Sequence, residues 1–295
     1  MSDKKTGAGL RGQSAGETAI CTVGATGNSL RYRGYAVDDL AEHASFDEVA
    51  HLILKGHLPN RSELEAYGAR LKSLRGLPEA LCEVLERIPS TAHPMDVMRT
   101  GCSFLGNIEP ERDFSREQDV ADRLLAAFPA IITYWYRYSR DGVRIETESD
   151  EDGIGAHFLR LLRGESPSEL HARVLDVSLI LYAEHEFNAS TFTARVCAST
   201  LSDMFSCITG AIGSLRGPLH GGANEAAMAM LEAYDSVESA RADVHRKLAE
   251  KEKIMGFGHA VYRERDPRNA IIREWSRRLS GDVGDRVLFP VSQEV

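Results

Sequence analysis

The chain has 295 residues, 43% of them hydrophobic, which is enough for one substantial core or for one core with a smaller lobe. Its 35 Lys and Arg residues face 44 Asp and Glu residues, and the resulting net charge of −9 argues against a broad basic surface. Binding to nucleic acid or to an anionic membrane depends on such a surface. We therefore expect neither as a partner.

The five cysteines indicate a reducing environment. Their number is odd and no two are spaced as CxxC, which argues against a disulfide framework and against a thiolate metal site. The charged N-terminus has no apolar segment behind it. The apolar run at residues 124–136 is too short to cross a bilayer and contains Pro129. We expect a cytoplasmic protein.

Short-range patterns predict the first elements of the chain. Residues 18–23 and 30–35 have turn-bounded β character, which predicts a small hairpin at most. Ser45 and Glu48 then have the spacing of a capping box, in which each residue bonds the main chain of the other. This pattern predicts a short amphipathic helix that stops at Gly56.

Capping signals also mark three further helix starts. Asn60 and Glu63 repeat the capping-box spacing, and the apolar residues after them recur every three or four positions. Ser115 and Gln118 show the same spacing before another apolar run. In segment 166–169, a serine cap, a proline at the first helical position and a glutamate at the third predict a long helix that is buried nearly all round.

The last helix and a lobe boundary complete the prediction. Asp266 and Pro267 have the pattern of a cap followed by a first-turn proline, and Gly281 is the predicted stop. Because helix signals outnumber strand signals, the predicted fold class is all-α. We expect a large helical domain at 1–216 and a smaller one at 217–295, with a hinge among Gly210, Gly213, Gly217, Gly221 and Gly222.

Three histidines lie in segments that could carry chemistry: His185, His220 and His259. Glycines flank His220 and His259, which lets a substrate approach the backbone and leaves main-chain N–H groups open to anions. The alternative is that both are tight turns whose histidines cap a helix. His185 lies beside two glutamates in an apolar helix, so a core histidine explains it as well as a ligand-binding one does.

Metal and nucleotide sites are only weakly indicated. A zinc-protease helix would need a second histidine where the chain has Ala189. The glycine-rich segment 210–217 follows no strand and lacks the Gly-Lys-Ser/Thr ending of a phosphate loop. We therefore predict no metal site and no cofactor.

Three arginines follow His259: Arg263, Arg265 and Arg268. The Asp266-Pro267 pair places Arg268 in the first turn of a helix, where a guanidinium and main-chain N–H groups can together hold a carboxylate. A solvated basic run explains the same spacing. Taken with the glycine-flanked histidines, Arg268 suggests polarisation of a carbonyl in a small acidic substrate.

Several segments resemble one known family. Residues 256–268, GFGHAVYRERDPR, are similar position by position to the citrate synthase signature, and residues 217–224, GPLHGGAN, resemble the second histidine loop of that family. The resemblance runs from about Thr18 to the end of the chain. Residues 93–99, HPMDVMR, and 185–193, HEFNASTFT, look especially like the 2-methylcitrate synthase branch.

This resemblance implies an all-α homodimer whose mobile small lobe closes over oxaloacetate and an acyl-CoA, without a metal. It implies that His220, as a neutral imidazole, donates to the thioester oxygen and that His259 polarises the oxaloacetate ketone. His185 and Arg268 would bind oxaloacetate, and Arg70 would take an accessory substrate position. The main-chain contacts to coenzyme A would come from Lys253, Ile254, Met255, Gly256 and Phe257.

The implied reaction condenses propionyl-CoA, oxaloacetate and water to 2-methylcitrate and CoA, with side activity on acetyl-CoA because one methylene is worth only about 1–3 kcal/mol. Ordinary citrate synthase is the alternative within the same class. No residue up to Val295 matches the catalytic aspartate of the family, so no general base is assigned and a truncated or partial sequence is expected. A third hypothesis is a non-catalytic module that dimerises or binds ligand.

Overall fold

A small antiparallel sheet opens the fold. The structure, a computed structural model, describes residues 15–24, 29–257, 262 and 265–295. Strands β1 (Cys21–Val23), β2 (Leu30–Tyr32) and β3 (Tyr35–Ala36) are neighbours in that order. The predicted hairpin is one strand short, because Arg33 and Gly34, with φ of +45° and +91°, form a tight turn that folds β3 back onto β2.

Fourteen α-helices follow among the described residues, so the all-α prediction is confirmed. A short 3-10 turn, Phe114–Arg116, precedes the longest of them. The helices are α1 (Val37–His43), α2 (Phe46–Lys55), α3 (Arg61–Ser73), α4 (Glu79–Glu86), α5 (Pro94–Ile108), α6 (Glu117–Asp141), α7 (Ile154–Arg163), α8 (Glu169–Tyr182), α9 (Ala189–Ala198), α10 (Met204–Leu215), α11 (Gly222–Glu232), α12 (Val237–Glu250), α13 (Pro267–Val283) and α14 (Leu288–Glu294).

Local capping chemistry begins α2 and α3 as predicted. In α2 the Ser45 hydroxyl oxygen accepts the Glu48 N–H at 3.3 Å, while the Glu48 carboxylate accepts the Ser45 N–H at 2.7 Å. Gly56 ends that helix at φ +99°, a conformation that glycine adopts without steric cost. Asn60 and Glu63 form the same reciprocal pair at the start of α3.

The capping box predicted at Ser115 and Gln118 is wrong. The Ser115 hydroxyl donates to Asp113 Oδ2 at 2.8 Å, because Asp113 caps the 3-10 turn that precedes α6. Gln118 instead accepts a hydrogen bond from Lys55 Nζ of α2 at 3.0 Å. Gln118, which the local pattern predicts to cap a helix, is therefore engaged in a tertiary hydrogen bond instead.

Two other helix boundaries differ from the predictions. Ser168, not Ser166, caps α8, since its hydroxyl oxygen accepts the His171 N–H at 3.2 Å. Helix α8 is also less buried than predicted, because its only buried residues in the described structure are Val177, Ile180 and Leu181. Helix α13 continues through Gly281 and ends at Val283, with Gly284 as its C-terminal cap at φ +70°. One glycine costs a helix only about 1 kcal/mol, too little to stop it.

Apolar clusters hold the helices together. One packs β1 and β2 against α1, α2, α3 and α8, and a second joins α4, α5, α6 and α10. Helix α13 adds Ile271, Ile272 and Trp275 to the edge of the first cluster. A smaller cluster around Tyr234 joins α11, α12 and α14. The start of α13 is therefore fixed against the larger body of the fold.

The cysteines, the helix lengths and the domain boundary each bear on a prediction made from the sequence. All five cysteines carry free thiols, as their spacing predicts. In the described ranges, no helix has the length and apolar character needed to span a membrane. The domain boundary between residues 216 and 217 stays a prediction: the small cluster lies within 217–295, yet α13 from that segment packs on α1 and α8.

Two glycine substitutions should have opposite effects on stability, because Gly101 lies at the close crossing of α5 and α6 whereas Gly68 lies in open space on α3. A Cβ at Gly101 would lie 2.5 Å from Ile131 Cγ2, whereas a Cβ at Gly68 in α3 meets nothing within 4 Å. We expect Gly101→Ala to lower the free energy of unfolding by about 1–3 kcal/mol through overpacking. Gly68→Ala should raise it by up to about 1 kcal/mol, because alanine restricts the unfolded chain. Urea titration measures both, and a Gly101→Ala protein as stable as the parent contradicts this crossing.

Candidate active site

A cleft of about 1480 Å³ gathers most of the residues that the sequence singled out. It lies between the α10–α11 loop, the segment after α12 and the first turns of α13. His220 and Arg268 line it, together with four of the five predicted coenzyme-binding residues: Lys253, Met255, Gly256 and Phe257. Three separate parts of the chain therefore meet at one site.

The N-terminus of α9 holds the ring of His220. Its Nε2 accepts the Ser190 N–H at 3.2 Å and lies 2.8 Å from the Ser190 hydroxyl. Asn188 caps α9 by accepting the Thr191 N–H at 3.0 Å, and its Oδ1 is also 2.8 Å from the Ser190 hydroxyl. The main chain of His220 is held by its own N–H, which donates to Gly217 O at 2.9 Å. Ring and backbone are thus both fixed.

These contacts determine the protonation state of His220. A main-chain N–H can only donate, so Nε2 must accept, and the proton of the neutral ring is on Nδ1. Burial lowers the pKa of His220, because it disfavours the imidazolium. The positive end of the α9 dipole acts in the same direction. His220 is therefore a neutral Nδ1–H donor near neutral pH.

The cap of α13 places Arg268. Asp266 accepts the Arg268 main-chain N–H at 3.0 Å and also binds its guanidinium, through Nε at 2.9 Å and Nη2 at 2.5 Å. Burial opposes the charged guanidinium, but the hydrogen bonds and charge of Asp266 outweigh it and raise the pKa of Arg268. The described residues leave the Nη1–Nη2 edge unused. That edge can take a carboxylate through two parallel N–H bonds.

His185 lies in the loop between α8 and α9, so its predicted place inside a helix is wrong. Its Nε2 is 3.1 Å from Tyr262 Oη, and the two rings meet edge to face with centroids 5.5 Å apart. Burial raises the pKa of Tyr262 to about 12, so its hydroxyl is neutral. Tyr262 lines the cleft, whereas His185 is not among the lining residues. The structure connects His185 to the cleft through Tyr262.

The predicted coenzyme-binding segment is an exposed turn after α12. Gly256 takes φ +94°, in the left-handed region. Phe257 exposes 60% of its surface at the edge of the cleft, while Ile254 is the one member of the segment that does not line it. A flat apolar ring beside accessible main-chain groups suits a ligand with both apolar and polar parts.

Arg70 lies outside this cleft. Its guanidinium binds Asp119 through Nη2 at 2.5 Å and Asp122 through Nε at 2.8 Å, which ties α3 to α6. Asp122 is buried and also lies 3.3 Å from Lys55 Nζ. Arg70 lines a second cavity that contains none of the other predicted site residues. In the single chain Arg70 joins α3 to α6 and does not line the cleft, and its accessory substrate role stays a prediction.

His259 and Arg263 lie outside the described residues, so their predicted roles stay predictions. Within the part of the chain that is described, no group of three or more His, Cys, Asp or Glu side chains could hold a metal ion. Sequence reasoning assigned no role to Ser190 or Tyr262, the partners of His220 and His185. The one local signal for Ser190 is its place two residues after the helix cap.

Replacing Ser190 by alanine tests how His220 is held. The change removes the hydroxyl beside Nε2 but keeps the main-chain N–H. The Ser190 hydroxyl donates to Asn188 Oδ1, so it presents an acceptor oxygen to Nε2, which favours the protonated ring. Its loss should therefore lower the pKa of His220 further. NMR titration of His220 measures this. Ser199→Ala is the matched control, since Ser199 lies at the other end of α9 and its hydroxyl donates to Val196 O at 2.7 Å. An unchanged or higher pKa in Ser190→Ala contradicts the assignment.

Comparison with known proteins extends over nearly the whole chain. Residues 9–295 match the family model described as citrate synthase, C-terminal domain. The chain is 69% identical to a 2-methylcitrate synthase of Shewanella oneidensis over 294 residues, which cover 99% of this chain and 78% of that protein. It is 41% identical to citrate synthase 2 of Bacillus subtilis, over 96% of this chain and 77% of that protein.

Solved structures agree with the family model. A citrate synthase from Thermotoga maritima matches with a TM-score of 0.84 and 37% identity, over 97% of this chain and 76% of that one. The citrate synthase of Thermoplasma acidophilum, in a ternary complex with carboxymethyl coenzyme A and oxaloacetate, matches with a TM-score of 0.89 and 28% identity over the same shares, 97% and 76%. The chain described here belongs to the citrate synthase family.

Proposed function

We propose that this chain condenses propionyl-CoA with oxaloacetate and water, giving 2-methylcitrate and free CoA. The 69% identity to the Shewanella oneidensis 2-methylcitrate synthase carries the choice of acyl group. The cleft supports the reaction class, because it combines a neutral histidine donor with an arginine edge open to a carboxylate. No metal or cofactor is part of the proposal, since the CoA thioester is a substrate.

His220 acts at the thioester. Removal of the α-proton from the acyl group moves negative charge onto the thioester oxygen, and a donor aimed at that oxygen stabilises the enol or enolate. Ser190 occupies Nε2, so Nδ1–H is the donor that His220 offers. Because burial lowers the pKa of His220, the neutral donor is the prevailing form near neutral pH. The general base that takes the α-proton is not assigned to any residue.

Arg268 and His185 bind oxaloacetate. Arg268 presents its Nη1–Nη2 edge to a carboxylate, while Asp266 holds the opposite edge and restricts rotation of the guanidinium. Tyr262 lines the same cleft as Arg268, and its hydroxyl lies 3.1 Å from His185 Nε2. By family resemblance, His259 polarises the ketone and protonates the alkoxide that forms when the new carbon–carbon bond closes.

The main-chain groups of segment 253–257 bind coenzyme A, and Phe257 provides an apolar surface at the edge of the cleft. The smaller domain, 217–295, closes over both substrates through its helices α11, α12 and α14, while α13 stays packed on α1 and α8. Closure excludes water, so that the thioester is condensed before it is hydrolysed. The separate apolar cluster of α11, α12 and α14 supports a lobe that moves as a unit.

We also propose a cytoplasmic homodimer. Several large apolar side chains on and between the helices α9 to α11 are exposed in the single chain: Val196, Leu201, Leu219 and Met228. Covering apolar surface of this kind stabilises an association between chains. Sedimentation of the purified protein measures the mass directly.

Two alternatives make different predictions about turnover. The 41% identity to the Bacillus subtilis enzyme supports ordinary citrate synthase as an alternative. This alternative requires acetyl-CoA to be the better substrate. A non-catalytic module that binds ligand is the alternative of another class, since no general base is assigned. It requires oxaloacetate binding without any release of CoA.

Release of free thiol from propionyl-CoA and acetyl-CoA, with and without oxaloacetate, tests the proposal. We expect release that depends on oxaloacetate, and a kcat/KM for propionyl-CoA about tenfold above that for acetyl-CoA, because one methylene is worth about 1–3 kcal/mol. A ratio below one would assign the chain to citrate synthase. Calorimetric binding of oxaloacetate without thiol release would favour the module.

A further inference from the structure

Helix α5 anchors the His220 loop from outside the cleft. This loop runs from the end of α10 through His220 into the first turn of α11, and side chains near the start of α5 meet both of its flanks. On the downstream flank, Glu225 Oε2 lies 2.9 Å from His93 Nε2. On the upstream flank, Arg216 Nε lies 3.4 Å from Asp96 Oδ2. One helix terminus therefore contacts the loop on either side of His220.

The tautomer of His93 is determined by its own helix. His93 caps α5, and its Nδ1 accepts the Met95 N–H at 3.1 Å. In the neutral ring a nitrogen that accepts carries no proton, so Nε2 bears the hydrogen and donates it to Glu225. Glu225 lies in the first turn of α11, where the helix dipole favours a negative charge. Both helix N-termini thus favour this pairing.

The His93–Glu225 contact contributes little to the stability of the fold. The side chains of His93 and Glu225 are 21% and 65% exposed, and surface pairs of this kind contribute about 0–1 kcal/mol. What the pair constrains is the first turn of α11, directly after the His220 loop. Asn224 Nδ2 donates to Tyr182 Oη of α8 at 2.9 Å, so a second helix holds the same turn.

We propose that His93 and Glu225 are positioning residues that hold the His220 loop where the Nδ1–H of His220 meets the substrate oxygen. The inference rests on the proposed function for the role of His220, although the contact itself does not. Ser190 orients the ring, whereas the His93–Glu225 pair holds the main chain that carries it. Misplacement of a reacting group by about 1 Å costs up to about a hundredfold in rate.

Substitutions at both ends of the pair test this role. Glu225→Ala removes the acceptor, and His93→Asn removes the donor but keeps a side-chain oxygen for the helix cap. We expect each to lower kcat with propionyl-CoA by about ten- to a hundredfold while KM for oxaloacetate changes less than about twofold. Glu225→Gln keeps an acceptor oxygen and should retain most of the activity. The double variant, His93→Asn with Glu225→Ala, should be no slower than the slower single variant.

His57→Asn is the matched control. His57 Nε2 lies 3.4 Å from Glu63 Oε1, so the chain offers a second histidine–glutamate pair, and neither of its members lines the cleft. This variant should keep the parent kcat. Unfolding midpoints of every variant should stay close to that of the parent, because an exposed pair contributes little to stability.

NMR of the His220 ring nitrogens separates failure of this inference from failure of the proposed function. The parent should show a protonated Nδ1 and an unprotonated Nε2. Glu225→Ala and His93→Asn should mix the two tautomers, and His57→Asn should not, whether or not the protein turns over propionyl-CoA. Unchanged His220 signals in both variants overturn the inference. A loss of kcat without a change in the His220 signals also overturns it. So does a change in those signals without a loss of kcat, in a protein that turns over propionyl-CoA. A double variant whose loss of kcat is the product of the two single losses contradicts it as well.

Discussion

The contact between the N-terminus of α9 and the ring of His220 is the constraint on which the cleft depends. The Ser190 N–H at 3.2 Å commits Nε2 as an acceptor and leaves Nδ1–H for a ligand. The same contact, together with burial, disfavours the imidazolium, so one arrangement determines both the direction and the charge of the ring. A loop histidine without it would rotate and would titrate like a free side chain.

Helix ends, rather than helix faces, deliver the polar groups of this site. Within the described structure, the N-termini of α9, α11 and α13 all lie near the cleft, carrying Ser190, the residues after His220, and Arg268. Each N-terminus has main-chain N–H groups and a partial positive charge. Their convergence offers a local positive environment in a chain whose net charge is −9, which suits a dicarboxylate such as oxaloacetate. The apolar clusters that position these ends take little part in the chemistry.

Sequence reasoning succeeded where the partners are close in the chain. The reciprocal bonds of Ser45 and Glu48, and the cap of α13 at Asp266, involve residues two or three positions apart, so their spacing alone predicts them. It failed where packing competes, since the Gln118 side chain accepts a hydrogen bond from Lys55 of α2. It also failed where a local signal is weak, since one glycine, Gly281, costs too little to end α13.

Separation along the chain also determines which residues of the site could be predicted from the sequence. His220 and Arg268 were predicted from their glycine-rich and capping contexts and from family resemblance, and both line the cleft. The partner of His220, Ser190, is 30 residues away, so only the folded arrangement of α9 reveals it. The role of Arg70 stays a prediction, and spacing alone does not show that its guanidinium binds Asp119 and Asp122.

A crystal structure of the chain with oxaloacetate and carboxymethyl coenzyme A would test the central claim most directly, since the carboxymethyl carboxylate stands in for the thioester enolate. The account predicts His220 Nδ1 within about 2.7–3.2 Å of a carboxymethyl oxygen, with Nε2 still on Ser190 and the Nη1–Nη2 edge of Arg268 on an oxaloacetate carboxylate. A ligand bound to Nε2 with the Ser190 contact broken, or both ligands bound away from His220, would contradict it.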